Sequence, residues 1–208
     1  MSSIKKGRFI AFEGIDGSGK STQIRMLADK LRSEGINCYE TREPTDSPIG
    51  SLVHNIMTGR ITADNRAVTA LFAADRIDHL TNSVNGIAAQ IDKGVTVLTD
   101  RYYFSSYAYH SVDIDMDWVI GCNRVSADIL KPDVTIYVDI PVKTALERIS
   151  AGRAFTELYE TEERLTKVRE NYFKAFEKLS GSENIAIVDG TGTVGEIFER
   201  ICDIYNAL

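Results

Sequence analysis

An α/β fold is predicted for this chain: a three-layer sandwich with a five-stranded parallel sheet and helices on both faces. Two observations predict it. Short apolar, β-branched runs alternate with helical patterns along the whole chain, which favours parallel strands joined by crossover helices. The first apolar run, Phe9-Ile10-Ala11-Phe12, leads straight into Gly14-Ile15-Asp16-Gly17-Ser18-Gly19-Lys20-Ser21, a GxxxxGK[ST] phosphate loop with a helical pattern behind it.

Taken in order, residues 8–13 form a first strand and 21–33 a helix closed by Gly35. Residues 36–41 form a short second strand. Pro44 then forces a loop through Arg42-Glu43-Pro44-Thr45, because the residue before a proline is disfavoured in helix. Residues 47–57 are helical and end at Gly59. A long helical stretch spans 65–93, with Leu71, Ala74, Ile77, Asp78 and Thr81 marking a face that is only partly apolar; Gly94 stops it. Val95-Thr96-Val97-Leu98-Thr99 has the near-continuous apolar character of a strand buried on both faces. Residues 134–138 and 185–188 repeat it. Helices are expected at 142–150, 161–179 and 194–205. With no linker or repeat, the 208 residues are expected to form one domain.

Composition narrows the function. The apolar fraction of 43% suffices for a packed core, and the net charge of −6 argues against a nucleic-acid polymer or an anionic membrane as partner. Cys38, Cys122 and Cys202 are isolated, as reduced thiols in a cytoplasmic protein would be, and show no zinc-ligand spacing. The polar segment 1–8 lacks a signal-peptide core, and no apolar run reaches the length of a membrane span. His54, His79 and His110 fit no metal-binding spacing and read as surface or core residues.

In a parallel sheet, ligands bind at the carboxyl ends of the strands. The phosphate loop follows the first strand, Arg42 the second, Asp100 and Arg101 the third, Asp139 and Pro141 the fourth, and Asp189, Gly190 and Thr191 the fifth. Gly14, Gly17, Ser18 and Gly19 would turn backbone N–H groups toward phosphates, with Ser21 and Thr22 at the start of the helix. Lys20 would reach the outer phosphates, and Ser21 would offer a hydroxyl to Mg²⁺. Asp100 resembles a Walker-B acid that holds the metal through water or orients the acceptor. Arg42 and Arg101 suit a phosphoryl acceptor, whose anionic phosphate must be drawn toward another anion; a surface salt bridge is the competing reading for either one. Asp16 inside the loop would repel ATP unless a sugar hydroxyl occupies it. This is the organisation of a P-loop NTPase.

The chain resembles the thymidylate kinases, P-loop nucleoside-monophosphate kinases. The resemblance rests on Phe12 to Thr22, on Thr41-Arg42-Glu43-Pro44, and on Leu71-Phe72-Ala73-Ala74-Asp75-Arg76. It continues through Asp100 to Tyr109, Tyr137 to Pro141 and Ala145-Leu146-Glu147-Arg148. It implies transfer of the ATP γ-phosphoryl to dTMP with Mg²⁺, giving dTDP and ADP on the way to dTTP, by a homodimer. Phe72 would then stack on thymine rather than serve only as helix core, and Arg76 would donate to a thymine carbonyl. Ser106 would meet the base edge and Tyr109 would lie against C2′ of the sugar. Asp16 would take the 3′-hydroxyl, and Arg42 and Arg101 the acceptor phosphate. A lid at about 150–160 would carry Arg153 to the transferring phosphoryl, since Gly17 leaves the loop without an arginine. Tyr159 would approach the base or sugar, and Arg148 would stack on adenine.

The chain departs from the family pattern at Leu158, where many relatives carry arginine, and at His110, which replaces a common glutamine. The helices within 47–57 and 66–92 are the expected dimer face. A kinase for dCMP, UMP or a deoxynucleoside is the nearest alternative. A regulatory homologue would be expected to lose Lys20, Asp100 or the arginines, and a GTPase would carry an NKxD motif, which this chain lacks.

Overall fold

The computed structural model describes residues 6–152 and 161–208. Strands β1 (Phe9–Glu13), β2 (Cys38–Arg42), β3 (Thr96–Asp100), β4 (Val134–Asp139) and β5 (Ile185–Asp189) form one sheet in the order β2-β3-β1-β4-β5. Every pairing is parallel. Neighbouring β1 and β4 send their following connections to opposite sides, which opens a crevice at their carboxyl ends.

The side-chain alternation of β1 shows how the two layers of helices attach. Ile10 and Phe12 pack with Ile24, Leu27, Ala28 and Leu31 of α1 (Lys20–Ser33) and with Ile197 and Ile201 of α9 (Val194–Asn206). Phe9 and Ala11 point the other way. There they meet a core built on α5 (Tyr103–His110), α6 (Met116–Ile129), α7 (Val142–Gly152) and α8 (Glu162–Leu179). The helices α2 (Pro48–Met57), α3 (Asn65–Thr81) and α4 (Ile87–Asp92) complete the order.

The structure corrects the sequence reading in several places. The expected helix over 65–93 is two helices. Val84 N–H bonds the Asn82 side chain at 3.0 Å and Gly86 N–H bonds the Asn82 carbonyl at 2.8 Å, so an Asx-type turn ends α3 before α4 begins. Helices α5 and α6 were not expected at all. Arg42 is the last residue of β2 rather than the loop after it. β5 is an edge strand with Ile187 53% exposed, so it lacks the two-sided burial of β3 and β4. The reason lies in sheet order: an edge strand needs covering on fewer sides, which its apolar composition does not reveal.

Helix α5 has no local start signal because its cap is remote. Its N-cap residue, Tyr102, provides no side-chain bond. Instead Glu13, at the end of β1, accepts the backbone N–H groups of Tyr102 (2.8 Å) and Ser105 (3.1 Å). A carboxylate at a helix N-terminus also complements the helix dipole. For α6 the local signal was present: Asp115 caps it by accepting Trp118 N–H at 3.1 Å.

Candidate active site

The phosphate loop takes its shape from left-handed backbone that side chains resist. Gly14, Gly17 and Gly19 have φ of 147°, 79° and 94°. A Cβ on Gly17 would lie 2.6 Å from the Ala145 carbonyl oxygen. The loop ends at Lys20, the first residue of α1, which brings the free amides of a helix N-terminus to its mouth. Lys20 is buried, and its Nζ donates to the carbonyls of Gly14 (3.0 Å) and Ile15 (3.1 Å). Burial and the neighbouring Arg101 charge lower its pKa from the ordinary lysine value.

Ser21 Oγ donates to Asp100 Oδ2 at 2.6 Å. Register explains the pairing, for Asp100 lies opposite both Phe12 of β1 and Arg42 of β2. A hydroxyl and a carboxylate side by side at a phosphate loop suit Mg²⁺, which takes few protein oxygens and completes its shell with phosphate and water. No group of three or more His, Cys, Asp or Glu able to hold a metal exists among the described residues.

Arg101 has a φ of 73°, the one positive value outside glycine among the described residues. Such backbone is costly for a bulky side chain and persists where surroundings enforce it. Its N–H bonds the Phe12 carbonyl at 2.9 Å, which anchors the turn to β1. The guanidinium then folds back over the phosphate loop. Nη1 reaches Ser105 Oγ at 2.9 Å, and Nη2 reaches Tyr109 Oη at 3.2 Å and pairs with Asp16. Tyr109 Oη donates to Asp16 Oδ2 at 2.8 Å. Burial by itself would raise the Asp16 pKa, but the charges of Arg101 and Lys20 and the Tyr109 bond outweigh it and hold the carboxyl at about 2. The repulsion expected of Asp16 is therefore answered within the protein.

Beside this cluster lies a cavity of about 220 Å³ between α3 and α5. Each helix contributes a pair four residues apart, hence on one face. Phe72 of α3 meets His110 of α5 edge to face, with ring centroids 4.9 Å apart. One turn along, Arg76 donates from Nη1 to Ser106 Oγ at 3.2 Å. The wall is thus a ring–ring rung followed by a polar rung. Arg76 is buried and tightly held: Nε bonds Glu43 at 2.7 Å, Nη1 also bonds Asn123 Oδ1, and Nη2 bonds the Tyr102 carbonyl at 3.3 Å. Of its five N–H donors, four make hydrogen bonds to described residues, and the second N–H on Nη2 makes none among them.

Arg42 and Arg148 flank the open side. Arg42 is exposed, pairs with Asp46 at 2.9 Å, and lines the same cleft as Lys20 and Arg101. Arg148 Nη1 and Nη2 donate to the carbonyls of Ser18 (3.3 Å) and Gly190 (3.2 Å), bridging the phosphate loop to the turn after β5. Gly14, Gly17, Ser18, Gly19, Ser21 and Thr22 all belong to the loop or the first turn of α1. Arg153, Tyr159, Leu158 and most of the expected lid lie outside the described residues.

Several residues around the site were not assigned a role from sequence. Glu13 also accepts from Ser105 Oγ at 2.5 Å and Tyr172 Oη at 2.9 Å; burial raises its pKa. Glu43 sits between Arg76 and His79, and His79 continues to Thr41 Oγ1 at 2.7 Å. Asp75 accepts from Thr45 N–H and Ser47 Oγ, which pins the segment after β2 onto α3. Each stands beside an assigned residue in a motif or strand end, the one signal that could have marked it. Of the histidines, His79 is buried in this network, within the surface-or-core reading, and His54 and His110 line the cavity.

A family model described as thymidylate kinase matches residues 12–201. A protein named "Probable thymidylate kinase" from Thermococcus onnurineus is 36% identical over 204 residues, covering 93% of this chain and 94% of its own length. One from Methanocaldococcus jannaschii with the same name is 35% identical, covering 93% of each chain. A "Thymidylate kinase" from Bradyrhizobium is 34% identical, covering 95% of this chain and 89% of its own. With this breadth of match and a phosphate loop set against a ring-lined cavity, the chain belongs to the thymidylate kinase family.

Proposed function

We propose that this protein transfers the γ-phosphoryl group of ATP to dTMP, giving dTDP and ADP in dTTP biosynthesis. The observation that carries the reading is one of placement. Asp16 and Arg101 line both the cleft of the phosphate loop and the α3–α5 cavity, so a cation stands where donor and acceptor phosphates would meet.

In the transfer, an oxygen of the dTMP phosphate attacks the γ-phosphorus. The bond from that phosphorus to the β,γ-bridging oxygen breaks, and its electron pair leaves with ADP. Such a reaction needs positioning and charge neutralisation rather than a covalent nucleophile. Lys20 and the glycine-rich backbone hold the ATP phosphates. Arg101 and Arg42 grip the acceptor phosphate, and Arg148 flanks the adenine. Phe72 supports the thymine face, while the remaining Nη2 donor of Arg76, with Ser106, reads a carbonyl edge. Tyr109 lies against the deoxyribose, and Asp16 takes its 3′-hydroxyl. Ser21, and Asp100 through water, would hold Mg²⁺, which supplies charge neutralisation on the phosphates when bound. Arg153 is assigned to the transferring phosphoryl and Tyr159 to the base or sugar, within a lid at about 150–160.

The proposal extends to a single-domain enzyme acting in the cytoplasm as a homodimer, with no nucleic-acid polymer or membrane as partner. Three unpaired cysteines support the compartment. Exposed Trp118, Val125 and Ile129 on α6, with Leu52 on α2, support an apolar pairing face, shifted toward α6 from the helices expected.

Coupled ADP release with dTMP, dUMP, UMP and dCMP tests the reading. Turnover with dTMP well above the others is expected, and equal turnover of dTMP and UMP would sink the thymine assignment.

A further inference from the structure

Arg101 lines both the phosphate-loop cleft and the α3–α5 cavity, and its left-handed backbone has to be enforced from outside. The end of β1 does this. Phe12 accepts the Arg101 N–H at 2.9 Å, and the Gly14 carbonyl accepts Nη1 at 3.4 Å. Glu13, between them, brackets Arg101 with its carboxylate. Oε1 accepts the N–H of Tyr102, the next residue along, at 2.8 Å, and that of Ser105 at 3.1 Å. Oε2 accepts Ser105 Oγ–H at 2.5 Å, and that same Oγ accepts Arg101 Nη1–H at 2.9 Å. Tyr172 Oη of α8 also donates to Oε2, at 2.9 Å.

Capping α5 accounts for only half of this arrangement. A cap needs one oxygen, and Oε1 supplies it. Oε2 does something else. A serine hydroxyl has a single proton, so where that proton points decides whether a lone pair faces the arginine. Donation to Oε2 turns the proton away and leaves Ser105 Oγ an acceptor for Arg101. Glu13 is fully buried, where a carboxylate is costly unless hydrogen bonds offset the lost water, and four donors converge on it.

We infer that Glu13 is a positioning residue for the phosphoryl transfer: one carboxylate fixes the turn that carries Arg101 and, through Ser105, the direction of its guanidinium. This rests on the monophosphate-kinase reading above and adds to it the group that keeps the shared cation aimed where the two phosphates would meet.

The test is a double-mutant cycle. Glu13→Gln keeps the shape, but its amide –NH₂ must face either two backbone N–H groups or Ser105 Oγ, where it competes with Arg101. Ser105→Ala deletes the bridge to the guanidinium and leaves both bonds to Oε1. Values of kcat and KM for dTMP and ATP are measured for each in the wild-type and the Arg101→Ala background. Each change is expected to lower kcat about tenfold or more in the wild-type background, the scale of a misplaced reacting group, with the ATP KM held. In the Arg101→Ala background each should cost less than about twofold. Equal losses in both backgrounds mark a structural role and overturn the inference, as does an unchanged kcat in S105A. If E13Q fails to fold, S105A carries the comparison alone. If another monophosphate is accepted in place of dTMP, the thymine reading falls and the cycle is run on that nucleotide. If none is accepted, the kinase reading falls, and NMR of the Arg101 side-chain N–H groups decides: loss of their slow exchange in S105A supports the positioning, and unchanged signals overturn it.

Discussion

Glu43 and Arg76 form an ion pair sealed from solvent, with Nε 2.7 Å from Oε2 and side-chain exposures of 2% and 1%. Glu43 follows the end of β2 directly after Arg42, while Arg76 belongs to α3. One pair thus ties the end of β2, where Arg42 is proposed to grip phosphate, to the helix that would read the base. Removing one member of a buried pair strands the other charge, at about 3–5 kcal/mol. Glu43→Ala is expected to lower unfolding stability by that order in urea titration. Glu43→Gln should raise the dTMP KM more than the ATP KM; equal effects on both would break the link between this pair and base recognition.

Lys20 makes its hydrogen bonds to two loop carbonyls and carries a charge that burial disfavours. Its removal should cost the fold little and the reaction much. Lys20→Ala is expected to lose about 10²-fold or more in kcat, the scale of a lost charge-stabilising group. Circular dichroism should stay unchanged. Near-normal kcat in this variant would refute the phosphate-loop mechanism.

Phe72 is half-buried against His110 and open to the cavity. Base stacking on an aromatic ring is worth about 1–3 kcal/mol. Phe72→Ala is therefore expected to weaken dTMP binding about tenfold or more in calorimetry while ATP binding holds. Unaltered dTMP affinity would return Phe72 to the helix core.

The Arg101–Asp16 pair predicts a pH dependence of defined sign. The Asp16 pKa falls from an ordinary 3.8 to about 2 on folding. A carboxyl depressed in this way contributes stability that is complete above its unfolded pKa and is lost as pH falls through the folded one. Glu13, with a raised pKa, acts in the opposite sense, so the comparison must be made as a difference. The stability of wild type minus that of Asp16→Asn should be constant from pH 7 to about 5 and shrink between pH 4 and 2. A gap that stays constant to pH 2 would mean the pairing adds nothing to folding.

Much of the scaffold could be read one segment at a time. Strands β1, β3 and β4 announce themselves as apolar runs, and the phosphate loop as glycines whose backbone angles other residues resist. Strand ends could be nominated for the site because parallel sheets place ligands there. Two kinds of feature escape a segment-by-segment reading. The turn at Asn82 and the Asp115 cap are written locally, in side chains that reach backbone two or three residues on. The cap of α5 is not written locally at all, since Glu13 supplies it across 89 residues.

Residue types and spacing along the chain were enough for the fold class, the loop and the candidate side chains, because those depend on short-range backbone preferences and on period. Distant packing alone chose which charges meet. It set Asp16 against Arg101, Glu43 against Arg76, and His110 against Phe72. Those partnerships arise when strands and helices far apart in the chain are brought to one sheet edge, where burial makes each polar group find a partner or await a ligand.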